Sequence, residues 1–314
     1  MVCNNRKLWL DALRGVAMLL VVYGHCVQEW TGYFVFTSPV KMPLFFIISG
    51  YLFKQRDGNQ KKFFKSIFLK LIIPWMVFGL FPYIFIHPTL IGERVYSLVS
   101  GKVLWFMPCL IIAEIIWFYV LKFTNSFKWV VIAGVLVSSF GFFLSANHLL
   151  RFAMIDTAFI VQAFFVVGYL LKRYESIIKT RKTIIILVLL MYIGIGLVTL
   201  YYYPGESLDV HVNKYYNIPI CAVMIVLGCG LLFSIFRQRP VEWKWLVYIG
   251  QNTLLIYMLH GYGLSVAARV LPIANEQIGL PLLALVKTII ACVLCCILAI
   301  IVNRYIPQIV GKKK

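Results

Sequence analysis

Three ionisable side chains stand in the apolar part of one stretch near the start of the chain, LWLDALRGVAMLLVVYGHCVQEW (Leu8 to Trp30): Asp11, Arg14 and His25. A charge at membrane depth costs about 2.5–3.5 kcal/mol on insertion scales, so groups that persist there face a cavity or one another and mark function. Arg14 and His25 are 11 residues apart, about 1100° of helix rotation and so about 20° from three full turns. Both therefore project from one helix face, roughly 16 Å apart along the axis, with Met18 and Val22 lining an apolar track between them. Asp11, one turn before Arg14, can pair with it and lower the cost of burying both. A cation at one end of such a strip can hold an anionic donor, and an imidazole at the other can act as general base near neutral pH. The pair suits a reaction that carries a group across a membrane. On spacing alone, a proton or ion pathway serves as well, as does a structural Asp–Arg pair beside a helix-capping histidine.

Other ionisable groups lie within or at the ends of apolar segments: Lys41, Glu114, Asp156, His260 and Lys287. Glu114 and Asp156 can orient His25 or bind a sugar hydroxyl, or can pair structurally with a basic residue. His260, in LLIYMLHGYG, suits an acceptor contact or an interfacial hydrogen bond. The basic loop KQRDGNQKKFFK, with Lys62 and Lys65, and Lys70 beyond it read as a phosphate-binding patch or as charges that fix topology and touch anionic lipid. Ser49-Gly50 allows close helix approach. Cys292, Cys295 and Cys296 form a C-x-x-C-C cluster without His or carboxylate nearby in sequence, so helix packing is expected there and no metal.

The elements that must position these groups follow from composition. Of 314 residues, 62% are hydrophobic and 13% charged, where a soluble domain carries about 25% charged residues. That apolar surface exceeds what one core can bury, so the chain reads as an all-α, polytopic membrane protein. Ten apolar runs approach spanning length: 8–27, 37–53, 67–86, 104–121, 129–146, 155–171, 183–203, 216–236, 245–265 and 282–303. Basic residues cluster in alternate loops: Arg6 and Lys7; Lys54, Arg56, Lys61, Lys62 and Lys65; Lys122 and Lys128; Lys172, Arg173, Lys179, Arg181 and Lys182; Arg237, Arg239 and Lys244; Arg304 and Lys312 to Lys314. The opposite loops hold only Arg94, Lys102, Arg151, Lys214 and Arg269. This asymmetry places both termini in the cytoplasm and makes the net charge of +19 a topology signal rather than a nucleic-acid footprint. Asp11 and Arg14 interrupt the first run and no small-residue site follows before Trp30, so cleavage as a signal peptide is not expected.

The run DALRGVAMLLVVYGH resembles the signature of the acyltransferase family 3 integral-membrane proteins. MPLFFIISGYLF, FLKLIIPWMVFGL, LWFMPCLIIAE, IDTAFIVQAFFVVGYLL and YIGQNTLLIYMLHGYG come after it in the order of that family's fucose O-acetylase-like branch, over about Leu8 to Tyr262. Two departures stand out: Lys41 occupies a position that is often His in the family, and Lys62, Lys65 and Lys70 replace arginines, so a phosphate would be held by point charges rather than bidentate forks. The resemblance implies a single ten-helix acyltransferase domain over 1–314 in a bacterial cytoplasmic membrane, with acetyl-coenzyme A or another acyl-coenzyme A as cytoplasmic donor. The implied acceptor is a hydroxyl of an extracytoplasmic or lipid-linked glycan. No appended extracytoplasmic domain is expected, so transfer would finish within the membrane domain. By analogy His25 is the catalytic histidine and Arg14 helps hold the donor with Lys62, Lys65 and Lys70. Glu114 and Asp156 are the further catalytic candidates, and Asp11, Lys41, Trp105 and His260 the candidate acceptor contacts. The rival readings are an exporter of polysaccharide or lipid-linked sugar, a role assigned to some relatives, and an ion- or proton-coupled transporter with Asp11, Glu114 and Asp156 as relay.

Overall fold

The computed structural model describes residues 7–27, 31–54, 59–86, 88–124, 126–176, 181–238, 243–271 and 280–312. Of the basic residues used to read topology, Arg6, Arg56, Lys179, Arg239, Lys313 and Lys314 lie outside the described residues. The α-helices, in chain order, are α1 (Leu8–Gly24), α2 (Thr31–Leu52), α3 (Gln60–Ile67), α4 (Ile73–Ile86), α5 (Ile91–Val99), α6 (Phe106–Phe123), α7 (Phe127–Ala146), α8 (Ile155–Ile160), α9 (Gln162–Arg173), α10 (Lys182–Tyr202), α11 (Ile218–Gln238), α12 (Lys244–Gln251), α13 (Thr253–Val270) and α14 (Leu280–Tyr305). Among the described residues extended pairing is confined to one isolated antiparallel bridge, Asp209 with Lys214. The protein is an all-helical, multi-pass membrane protein.

Each expected span falls on a helix or on two helices in series. A π-turn, Phe68–Ile72, joins α3 to α4, and α8 and α9 are bent by 48°. The 245–265 run is α12 followed by α13. Among the described residues seven helices are long and apolar enough to cross a membrane, or eight if the bent pair counts as one span. The 17-residue α1 and the interrupted α12–α13 account for the difference from ten. The second span is longer than its apolar run: α2 begins at Thr31 and runs through Pro39 and Pro43. Proline has no N–H, so Pro43 leaves the carbonyl of Pro39 without its helical partner; the Cys229 thiol donates to that oxygen at 3.6 Å. Such re-satisfaction is what lets proline persist in a membrane helix.

The chain forms two compact units interleaved in sequence. One comprises Met1–Phe45, Ile178–Asp209 and Lys214–Ala299. Within it α1 lies chiefly along α12, and glycines set their approach. A Cβ on Gly15 would run into the carbonyl oxygen of Leu246, and one on Gly250 into that of Asp11. With lipid as apolar as any side chain, close backbone approach is the main source of helix association in membranes. Gly228 of α11 likewise admits Val40 and Tyr192, and the Tyr192 hydroxyl donates to the Phe36 carbonyl at 2.6 Å.

The other unit comprises Phe46–Ile177, Val210–Asn213 and Ile300–Lys314. Here Gly50 meets the backbone of Phe165, and Gly168 meets the carbonyl of Ile47, so α2 and α9 touch backbone to backbone. The close approach expected at Ser49-Gly50 is present at Gly50. Asn59 caps α3 by accepting from the Lys62 N–H at 3.0 Å. That helix buries Phe63 and Ile67 and exposes Lys61, Lys62 and Lys65, and Phe63 stacks on Phe118 at 4.2 Å.

These contacts predict that Gly250→Val, with no room between two backbones, lowers stability by about 3 kcal/mol or prevents assembly. Gly230→Ala, whose Cβ would meet nothing within 4 Å, should leave the melting temperature in detergent undiminished.

Candidate active site

Helix α1 carries Arg14 in its middle and ends at Gly24, so His25 is its C-terminal cap residue. The backbone there is still close to helical (φ −78, ψ −13), and the spacing argument for one face carries through. The His25 N–H is shared between the carbonyls of Val21 and Val22 at 3.3 and 3.2 Å. Its side chain is exposed.

The His25 ring packs against the ring of His260, with centroids 5.0 Å apart and planes tilted by 35°. His260 is buried in α13, and its Nδ1 lies 2.6 Å from the carbonyl oxygen of Tyr257. A carbonyl only accepts, so Nδ1 carries a proton, and in the neutral ring Nε2 keeps its lone pair. The same end of α1 meets two further helices. The Tyr23 hydroxyl donates to the carbonyl of Pro281 at 3.2 Å, and Thr288 directs its hydroxyl between the Ala284 carbonyl and Cys26 Sγ. From α2, the Tyr33 hydroxyl donates to the Leu20 carbonyl, and its ring packs on Tyr23 at 5.1 Å. Lys41 reaches the same end: a Cβ placed on Gly24 would stand 3.1 Å from Lys41 Nζ. An exposed imidazole beside a second of fixed tautomer and an ammonium is equipped for proton transfer and for stabilising developing negative charge.

The strip between Arg14 and His25 corrects an expectation. Met18 and Val22 are fully buried at 0%, and Val21 is at 6%, so this face of α1 is filled by packing and is no open track. Asp11 is likewise drawn into structure. Its carboxylate stands 3.9 Å from Arg14 Nη1 and accepts from Gln251 Nε2 at 3.4 Å, and its backbone is pressed against Gly250. Arg14 keeps 27% of its side chain exposed.

Other expected site residues belong to the second unit. Trp105 stacks on His211, with centroids 5.2 Å apart and planes at 18°. Asp156 is 2% exposed. Its carboxylate accepts from the Thr157 N–H at 2.8 Å and from Asn213 Nδ2 at 2.9 Å, while the Thr157 hydroxyl donates to Asn213 Oδ1 at 3.1 Å. The described non-glycine residues with left-handed backbones border this cluster: Leu104 precedes Trp105, His148, Leu150, Ala153 and Met154 precede Asp156, and Asn213 is itself one. Such conformations cost on the order of 1–3 kcal/mol each and gather at functional sites. Glu114 is half-buried on α6, and Lys62, Lys65 and Lys70 are all exposed. Lys70 sits in the π-turn, a form often found at functional sites, with Gly311 against its aliphatic stem. Of the expected donor cradle, Arg14 thus belongs to one unit and the three lysines to the other.

His211, Asn213 and Tyr33 entered through the structure. In DVHVNKYY the only sequence signal was a histidine and an asparagine in a short loop between two apolar runs.

A family model described as an acyltransferase domain matches residues 7–303. No curated protein and no solved structure matches the chain.

The Asp156 geometry predicts that Asp156→Ala and Asn213→Ala each lower stability by about 1–3 kcal/mol, because either leaves a buried polar partner unsatisfied. In a double-mutant cycle read by unfolding in detergent, the double variant should lose clearly less than the sum of the two.

Proposed function

Because the chain belongs to acyltransferase family 3, we propose that this membrane acyltransferase moves an acyl group, acetyl in the simplest case, from acyl-coenzyme A to a glycan hydroxyl. The donor is cytoplasmic, the acceptor an extracytoplasmic or lipid-linked glycan, and the setting a bacterial cytoplasmic membrane with both termini inside. The charge asymmetry of the loops supports that orientation.

The observation that carries the reading is the placement of His25. It is exposed at the end of α1, its ring lies against His260, and the helix that bears it also bears the half-exposed Arg14. Thioester transfer to an alcohol asks for one group to accept the hydroxyl proton as the oxygen attacks, and a histidine suits this near neutral pH. His25 would take that proton. His260, fixed through Tyr257, would support the ring from below and offer Nε2 as a hydrogen-bond acceptor toward the acceptor sugar. Arg14 would meet an anionic part of the donor; the exposed Lys62, Lys65 and Lys70 have the charge for the same task. Trp105, stacked on His211, offers an aromatic face of the kind sugars use, and Asp156 holds its loop through Asn213.

Purified protein supplied with acetyl-coenzyme A tests the reading. His25→Ala should lower kcat by about 10²–10⁴-fold while leaving the Km for acetyl-coenzyme A little changed. Arg14→Ala should raise that Km with a smaller effect on kcat. Full activity in His25→Ala sinks the mechanism, and glycan translocation with no dependence on acyl-coenzyme A would favour an exporter.

A further inference from the structure

Lys41 is a half-buried cation that the reaction as described leaves unused. Its long stem leans back along α2 toward the helix N-terminus, as helical side chains do. The ammonium comes to rest 4.7 Å from the centroid of Phe34 and 5.8 Å from that of Tyr33. It also lies against Gly24, the residue before His25, and its field reaches the His25 ring. Asp209 attracts it at longer range, and among the described residues no carboxylate stands in ion-pair contact with it. Two aromatic faces stabilise a cation modestly and leave its N–H donors without an anion. An ammonium so placed is arranged for negative charge that arises only during reaction.

We infer that Lys41 is a second catalytic residue, holding the oxyanion that forms on the thioester carbonyl during acyl transfer. This rests on the acyl-transfer reading above and extends it. The acceptor oxygen bonds to the carbonyl carbon as its proton passes to His25, and the carbonyl electron pair moves onto oxygen beside the Lys41 ammonium. Collapse restores the carbonyl and breaks the carbon–sulfur bond. The departing coenzyme A thiolate then takes the proton back from His25. Donors aimed at charge that develops in the transition state act most strongly where water is excluded, and the Phe34 and Tyr33 rings flank this one. Gly24 has a matching role, because a side chain there would crowd the ammonium.

The test uses the full chain in detergent, acetyl-coenzyme A as donor, methyl glycosides or water as acceptor, and coenzyme A thiol release as the signal. Lys41→Met should lose about 10²-fold in kcat, with both Km values little changed and acetyl-coenzyme A binding intact. Lys41→Arg should recover at least about tenfold of that loss, since it restores a cationic donor. Gly24→Ala, whose Cβ would press on the ammonium without removing it, should lower kcat by less than Lys41→Met, and it carries the test if Lys41→Met fails to fold. An active wild type with undiminished kcat in Lys41→Met or in Gly24→Ala overturns the inference alone. So does a raised Km for the glycoside with kcat intact, which would make Lys41 an acceptor contact. An inactive wild type, or a fully active His25→Ala, overturns the acyl-transfer reading and this inference with it.

Discussion

Asp11 is where the first unit is tied together, and the position of every reactive group on α1 depends on it. Its backbone carbonyl lies against Gly250, so close that α12 can carry no side chain there. Its carboxylate faces Arg14 and Gln251. Backbone contact fixes the distance between the helices, and the polar contacts fix the rotation and register of α1. Since α1 is a single rigid rod from Leu8 to Gly24, fixing one end also fixes the direction of its other end, where His25 sits. In hydrocarbon, apolar side chains gain little by turning toward one another rather than toward lipid. A buried carboxylate with only a few permitted partners is therefore a stronger determinant of helix rotation than any stripe of leucines.

The same solvent constraint sorts the other polar groups of the bundle. His260 is settled by Tyr257, the Asp156 carboxylate by Thr157 and Asn213, and the Pro39 carbonyl by Cys229. Each is a local pairing that relieves the cost of polarity in a dry interior. Lys41 differs in kind, since its nearest partners are aromatic faces that satisfy charge only in part. His25 differs in being exposed. His25 and Lys41 nevertheless come together at one end of α1, which is the pattern expected where a substrate supplies a partner.

How much of this was legible in the sequence depends on which forces are local. Spans are set by hydropathy over about 20 residues, and every expected run coincides with helix. The eleven-residue step from Arg14 to His25 fixed a shared face because helical geometry alone determines it. The start of α2 was hidden, because Thr31 to Phe36 is only moderately apolar and two prolines, Pro39 and Pro43, break the pattern soon after. Asp11 read as a partner of Arg14, with an acceptor contact and a relay as further roles; its tether to α12 was hidden, since it depends on Gly250 and Gln251, far along the chain. The Met18–Val22 strip looked like a track because one helix shows which residues share a face but not what covers them. Asn213 was invisible for a similar reason: its role exists only once Asp156 is buried beside it.

The second unit adds a constraint of a different sort. Four residues between His148 and Met154 adopt left-handed backbones with side chains that disfavour them, and a loop of that kind would relax if it were free. It is pinned at both ends. The Ala153 N–H donates to the Ser100 carbonyl at 3.2 Å, and the Asp156 N–H donates to the Leu150 carbonyl at 3.2 Å. The Asp156 carboxylate is clamped in turn by Asn213, another left-handed residue. Strain in one loop is thus balanced by hydrogen bonds to a second, and neither segment can move without releasing a buried carboxylate. Coupling of that kind keeps a short loop rigid without adding helix, and Trp105, preceded by the strained Leu104 and stacked on His211 in the clamped segment, shares in it. An aromatic face built this way stays where it is placed, because moving it would also disturb the hydrogen bonds that hold the Asp156 carboxylate.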